Sequence, residues 1–326
     1  MGLLYNCYQS ARLWLRRSQT GLSLIHKTKL VHLFFWRLFC GGKGEGRLTR
    51  AQADGLLGKP VTIFTTDYCM FVARVYAHHL RKMGLAVSIT TEQRDDWDDG
   101  LHLLVSAQLV QHLPKHYVVV QMEQLTVSTW YGVHYHRILL GADAVFDYCR
   151  SNLEFLRRYN LGGVPLHFMP ITILGNEKIQ PADTPRKYDV LFYGGWGHHR
   201  RQNAIAKLQE HYNVEVITNL FGEELHEALR SAKIIINIHQ YDHALIETTR
   251  LFECLSLGLF VVSEDSSNSG DFPTLRENVS WFDEGDWEGM IAEVGKWLAD
   301  NKAREEERVR RYARALEEAD SFTDCF

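Results

Sequence analysis

The sequence predicts an α/β protein built from two Rossmann-like domains, with an N-terminal helical extension and a long C-terminal helix. Short apolar runs alternate with amphipathic helical stretches from residue 59 onward, the pattern of parallel sheets covered on both faces. The alternation is interrupted by a polar segment, LGNEKIQPADTPRK at 174–187, which holds two of the seven prolines, and then restarts. The length of 326 residues is more than one core commonly serves, and two domains of about 150 residues each account for it.

Residues 1–50 stand apart. ARLWLRRSQTGLSLIHKTKLVHLFFWRLFCGGKG mixes Trp, Leu and Phe with Arg and Lys, and Glu45 is the segment's one acid. A basic, aromatic, amphipathic helix can lie in the interface of an anionic bilayer, or it can pack on the first domain; composition leaves both open. PVTIFTTD then reads as a strand, YCMFVARVYAHHLRKMG as a helix stopped by glycine, and LAVSITTE as a strand. LHLLVSA, YVVVQME, AVFDYC and LHFMPI are further strands, with the helix SNLEFLRRYN before the last. Beyond the polar segment, YDVLFYGG, VEVITN, KIIINIH and LFVVSED are strands, and HHRRQNAIAKLQEHY, FGEELHEALRSA and ETTRLFECLSLG are helices. EVGKWLADNKAREEERVRRYARALEEA reads as one long helical pattern that can cross back to brace the first domain. The expected division is 1–50 extension, 51–175 first domain, 176–187 linker, 188–300 second domain and 301–326 C-terminal helix.

Composition excludes several classes. A net charge of -4 gives no reason to expect nucleic-acid binding. Six cysteines without a CxxC argue against zinc ribbons and disulfide scaffolds and for a reducing, cytoplasmic setting. No apolar run of about 18 residues is present to span a bilayer. The start shows no signal-peptide pattern, and MGLLYN has Asn6 where a myristoylation site wants Ser or Thr.

In open parallel sheets, ligands sit beyond the carboxyl ends of the strands. After the strand ending at Tyr193, Gly194, Gly195 and Gly197 allow close backbone approach, and a helix N-terminus follows with Arg200 and Arg201. The nearest dinucleotide frame puts Arg200 at the third glycine, which speaks against a dehydrogenase. Glu247, at a strand-to-helix handover, has Arg250 three residues on, placed to clamp a diphosphate. Glu253, amid Leu251, Phe252, Cys254 and Leu255, needs a partner, and either a ribose diol or an arginine supplies one. Asn237 and His239 end a strand of the same domain, placed to contact the phosphate or sugar of a donor.

These residues carry a resemblance. ETTRLFECLSLGLFVVSED, with VLFYGGWGHHRRQNAIAKL and AKIIINIH before it, resembles the donor-binding domain of GT-B glycosyltransferases of the group 1 and spore-maturation type, over roughly 188–290. The resemblance implies a nucleotide-diphosphate sugar as co-substrate, bound by the second domain, with no cofactor and no metal. It implies Glu253 on the donor ribose and an acceptor, a glycan or other hydroxyl compound, on the first domain across an interdomain cleft. The retaining branch spaces its glutamates E-x7-E with the earlier one near the sugar, which makes Glu247 a further catalytic candidate; here Glu247 and Glu253 are E-x5-E and position 245 is Leu245, which leaves that role and the stereochemical outcome open. An inverting reaction needs a base. Asp67, Glu123 and Asp147, all at strand ends of the first domain, are the candidates, and each can instead cap the following helix. Asp96-Trp97-Asp98 mimics a metal-binding DxD, but RDDWDDG reads as a solvated loop, and the paired histidines at 134–136 and 198–199 lack a third ligand. The rival readings are a nucleotide-sugar epimerase of the same fold and a non-catalytic sugar- or membrane-binding module.

Overall fold

The computed structural model describes residue 39, residues 48–125, residue 128 and residues 131–159, 161–175 and 179–322. Almost all of the predicted basic extension 1–50, and residues 176–178 of the predicted linker, lie outside the described residues. Contacts divide the chain between Pro170 and Ile171, the second unit running Ile171–Ala319.

In the first unit, helix α1 (Arg50–Leu57) begins at a capping box. The Thr49 hydroxyl accepts from the Gln52 amide, and the Gln52 side chain accepts from the Thr49 amide at 2.9 Å. Strand β1 (Val61–Phe64) leads through a short turn at Asp67–Cys69 into α2 (Met70–Lys82), then β2 (Val87–Thr90), β3 (His102–Val105) and β4 (Tyr117–Gln121). Helix α3 (Val133–Gly141), β5 (Ala144–Asp147), α4 (Arg150–Arg158) and β6 (Leu166–Phe168) complete it. The sheet is parallel, in the order β2-β1-β3-β4-β5-β6. β1, β3, β4 and β5 are buried along their whole length, which is why they read as unbroken apolar runs. Helix α3 covers a stretch with no helix expected, VHYHRILLG; its Tyr135, Ile138 and Leu139 turn into the core.

The second unit repeats the plan with β7 (Tyr188–Tyr193), α5 (His199–Gln209), β8 (Val214–Ile217), α6 (Gly222–Arg230), β9 (Ala232–Asn237), α7 (Thr248–Ser256) and β10 (Val261–Glu264). A proline-initiated α8 (Pro273–Asn278) and a three-residue β11 (Ser280–Phe282) follow. All pairings are again parallel, in the order β11-β10-β9-β7-β8. Helix α7 ends in a Schellman turn: Gly258 has φ +62°, its amide reaches Leu255 O, and the Leu259 amide reaches Cys254 O.

The long C-terminal helical pattern is two helices, α9 (Trp287–Ala299) and α10 (Asn301–Phe322). Asp300 leaves the helical region (φ -127°, ψ 95°), and its carboxylate accepts from the Ala303 amide at 2.9 Å. An aspartate that caps a new helix therefore ends the expected single one. Arg308 in α10 donates to Gly258 O at 2.7 Å and Gln180 O at 2.8 Å, so the described part of the polar 176–187 segment is held by the second unit's own helix. No helix among the described residues is long and apolar enough to cross a membrane.

In each sheet the strand order reverses beside the first strand, between β1 and β3 and between β7 and β9. Each reversal opens a crevice at the carboxyl ends of two strands, the ligand position of doubly wound folds.

Candidate functional site

The reversal beside β7 gathers most of the residues expected to hold a donor. The chain leaves β7 through Gly194, whose φ of +128° suits glycine. A Cβ there would lie 2.5 Å from Arg250 Nη2, so the space a side chain would fill is taken by that guanidinium. At Gly197 a Cβ would meet nothing within 4 Å, and the surroundings are open.

Arg200 and Arg201 are neighbours at the start of α5 and so leave the helix in different directions. Arg200 grips Glu264, the last residue of β10, through both terminal nitrogens, Nη1 at 2.7 Å. It also donates to His239 O at 3.0 Å and Asp242 at 2.6 Å. Glu264 is fully buried and in addition accepts from the amides of His239 (2.9 Å) and Gly285 (2.7 Å). Burial works against the Arg200 charge, but the bonds to Glu264 and Asp242 outweigh it and hold the group ionised. Every nitrogen of its fork is engaged by protein, so Arg200 organises the loop after β9.

Arg201, 2% exposed, is likewise engaged by protein at every nitrogen. It donates to Ile238 O (2.9 Å), Gly195 O (3.0 Å) and the Glu247 carboxylate (2.6 Å). Glu247 precedes the first residue of α7 and takes Arg250 Nη1 on its other oxygen. Burial would raise the Glu247 carboxyl, yet Arg250 and Arg201 together hold it below the ordinary carboxylate range. Arg250 Nη1 also reaches Asn237 Oδ1 at 2.5 Å, and Asn237 Nδ2 donates to Ser263 Oγ at 2.9 Å. Asn237 is fully buried and acts on the crevice through Arg250. His239, also fully buried, bonds Asp265 O through Nε2 at 3.2 Å, while its Nδ1 makes no hydrogen bond.

Glu253, one turn beyond Arg250, faces β7 and α6. Tyr193 donates to one oxygen at 3.2 Å, and His226 Nε2 lies 3.1 Å from the other. Burial, reinforced by Cys254 and Glu253, pushes the Tyr193 hydroxyl well above its ordinary range and keeps it a donor.

The three candidate bases belong to the first unit and differ in setting. Asp67 is exposed just beyond β1. Glu123 is half-buried and accepts from Gln108 Nε2 (2.8 Å) and Ser128 Oγ (2.6 Å). Asp147 is fully buried and accepts from Gln121 Nε2 (2.7 Å), the Cys149 amide (2.7 Å) and Asn152 Nδ2 (3.2 Å), none of them a first-turn amide of α4, whose N-cap is Cys149 without a side-chain cap. Burial raises its carboxyl from 3.8 to about 7, against those three bonds. In the RDDWDDG loop Trp97 packs edge-on against Phe64 and His102, and among the described residues no group of three or more His, Cys, Asp or Glu could hold a metal ion.

Sequence reasoning missed Glu264, Tyr193 and His226. Signals existed for two of them: an acid closing an apolar strand, and a histidine between Leu225 and Leu229 on the apolar side of α6.

A family model described as glycosyl transferase-like matches residues 155–321. An uncharacterized protein of Acanthamoeba polyphaga mimivirus is 29% identical over 161 residues, covering 49% of this chain and 53% of that protein. A second from the same virus is 26% identical over 172 residues, covering 52% of this chain and 23% of that protein. The chain thus spans about half, or less, of the length of these relatives. Among solved structures, sucrose-phosphate synthase from Thermosynechococcus elongatus aligns with a TM-score of 0.50 at 12% identity, over 82% of this chain and 99% of that one. T4 phage BGT in complex with UDP and Mn2+ aligns with a TM-score of 0.51 at 10% identity, over 81% and 98%. At such identities these likenesses speak for the fold alone.

Glu264→Ala leaves the Arg200 guanidinium buried with the His239 carbonyl and one exposed carboxylate, Asp242, as its partners, and urea unfolding should show a loss of about 3–5 kcal/mol; a change below about 1 kcal/mol would contradict a structural role for the pair. A carboxyl raised by folding stabilises the fold fully below its unfolded value and loses that contribution as pH rises through its folded value. Unfolding of Asp147→Asn relative to the wild type should therefore shift in the variant's favour by about 1.4 kcal/mol per pH unit between about pH 4 and 7. A pH-independent difference would show that Asp147 keeps an ordinary carboxyl.

Proposed function

The chain belongs to the glycosyl transferase-like family and has the GT-B fold, and from that premise we propose that it moves a hexosyl or pentosyl group from a nucleoside diphosphate to a hydroxyl of a glycan or other acceptor. The observation that carries the reading is the Arg201–Glu247–Arg250 cluster at the carboxyl end of β7, inside the segment the family model matches. Two guanidiniums share one carboxylate there, leaving one net positive charge in a largely buried crevice, and a diphosphate is the natural occupant. Glu253 takes the ribose hydroxyls. The acceptor oxygen attacks the anomeric carbon, the bond from that carbon to the phosphate oxygen breaks, and Arg201 and Arg250 stabilise the charge left on the diphosphate. The arginines supply this charge themselves, so the proposed reaction proceeds without a metal. On the first unit, Asp67 and Glu123 are the proposed bases, since their carboxyls are not enclosed as that of Asp147 is.

The test is a panel of nucleotide sugars, read by thermal shift and by acceptor-dependent release of nucleoside diphosphate. At least one donor should stabilise the protein and turn over, in the presence of EDTA as well. Arg250→Ala should lower turnover on the order of 100-fold. If no nucleoside diphosphate raises the melting temperature and no nucleotide sugar turns over, the reading is wrong; product released without acceptor would indicate an epimerase.

We also propose that the basic aromatic segment 1–50 rests on an anionic membrane, on the strength of its sequence. The 326-residue chain should sediment with phosphatidylserine vesicles, and a chain lacking residues 1–50 should not. The 326-residue chain left in the supernatant would favour a segment packed on the first domain.

A further inference from the structure

Glu253 is held at both carboxylate oxygens by side chains from two other elements. Tyr193 comes from β7 and bonds Oε2; His226 comes from α6 and bonds Oε1. A carboxylate only accepts, so His226 Nε2 carries the hydrogen, and in the neutral ring Nδ1 is bare. Nδ1 is buried and makes no hydrogen bond; the acid near it, Glu223 on the same helix, stands 3.8 Å away. His226 is 5% exposed and Glu253's side chain 15%, so neither relies on water to fix its orientation.

A carboxylate offers about four acceptor positions, and Tyr193 and His226 occupy one on each oxygen. Two remain, fixed relative to each other by the plane that the two donors define. A vicinal diol presents a matching pair of donors, but only to a carboxylate whose plane does not turn. We propose that His226 is the positioning residue that sets the Glu253 carboxylate for the ribose of the nucleotide. This rests on the reading that Glu253 takes the ribose. The role differs from packing α6 against α7, because it acts on one hydroxyl pair of the ligand and leaves the diphosphate contacts at Arg201 and Arg250 untouched. Tyr193 alone cannot replace it: a single donor allows the carboxylate to rotate about that bond, and the oxygen facing α6 would be buried without a partner.

Calorimetric titration of the full chain with UDP, GDP and ADP, and with the 2′-deoxy form of each, tests the assignment. The wild type should bind at least one ribonucleotide more tightly than its 2′-deoxy form. His226→Leu should weaken that ribonucleotide on the order of tenfold and leave the deoxy form unchanged, erasing the preference. His226→Gln, which can still present an amide hydrogen to Glu253, should restore most of it. His226→Asn is too short to reach and should behave as the leucine variant does, and it substitutes for that variant if leucine prevents folding. A ribose preference that survives in the leucine and asparagine variants overturns the role of His226 while leaving Glu253 in place. Equal binding of ribo and deoxy forms by the wild type overturns the ribose reading of Glu253 and this inference with it. Binding of none of the three overturns the proposed donor site itself.

Discussion

The second unit's crevice depends on a buried ion pair that need not touch a ligand. Glu264 closes β10 with no solvent exposure, and its two oxygens collect the Arg200 fork and the amides of His239 and Gly285. Three segments far apart in sequence meet there: the start of α5, the loop after β9, and the turn before α9. An unpaired carboxylate in that position would be costly, so the four donors and the acid require one another. The backbone at His239 is thereby fixed, next to the Ile238 carbonyl to which Arg201 donates.

On that frame the remaining charges order themselves from the inside out. Ser263 orients Asn237, Asn237 orients Arg250, and Arg250 with Arg201 encloses Glu247. Gly194 enters the same chain, since any side chain there would displace the guanidinium of Arg250. Each link is a directional hydrogen bond or a steric exclusion. The two arginines are therefore held in place by the protein's own groups.

Much of this was legible in the sequence. Buried parallel strands are unbroken apolar runs, and the ligand rule for doubly wound sheets then selects Gly194, Asn237, His239 and Glu247 from their positions alone. What could not be read is which partner each charge takes. Arg200 and Arg201 are adjacent and identical in kind, yet one is held against Glu264 and the other against Glu247; about 100° of helical rotation separates them. The glycine at 194 reads as an invitation to a ligand, and its occupant is an arginine 56 positions away in the chain. Helix α3 escaped notice because its histidines dilute the apolar pattern, and Asp300 escaped because an aspartate within a helical stretch marks a cap only when its backbone departs from the helix.

The spacing of the two glutamates is where sequence and geometry bear on the same question. Glu247 stands two positions later than the E-x7-E pattern places its first acid, and that puts it immediately before α7, where one oxygen faces Arg201 and the other Arg250. A carboxylate so enclosed is held ionised and is a poor proton acceptor, because taking a proton would break both pairs. Its chemical effect is to fix the two guanidiniums and to reduce their combined charge by one. Glu253, three residues beyond Arg250 on the same helix, takes its two hydrogen bonds from Tyr193 and His226 and keeps acceptor capacity to spare. The two acids thus differ by their partners: Glu247 fixes two guanidiniums, and Glu253, held by Tyr193 and His226, keeps acceptor positions open.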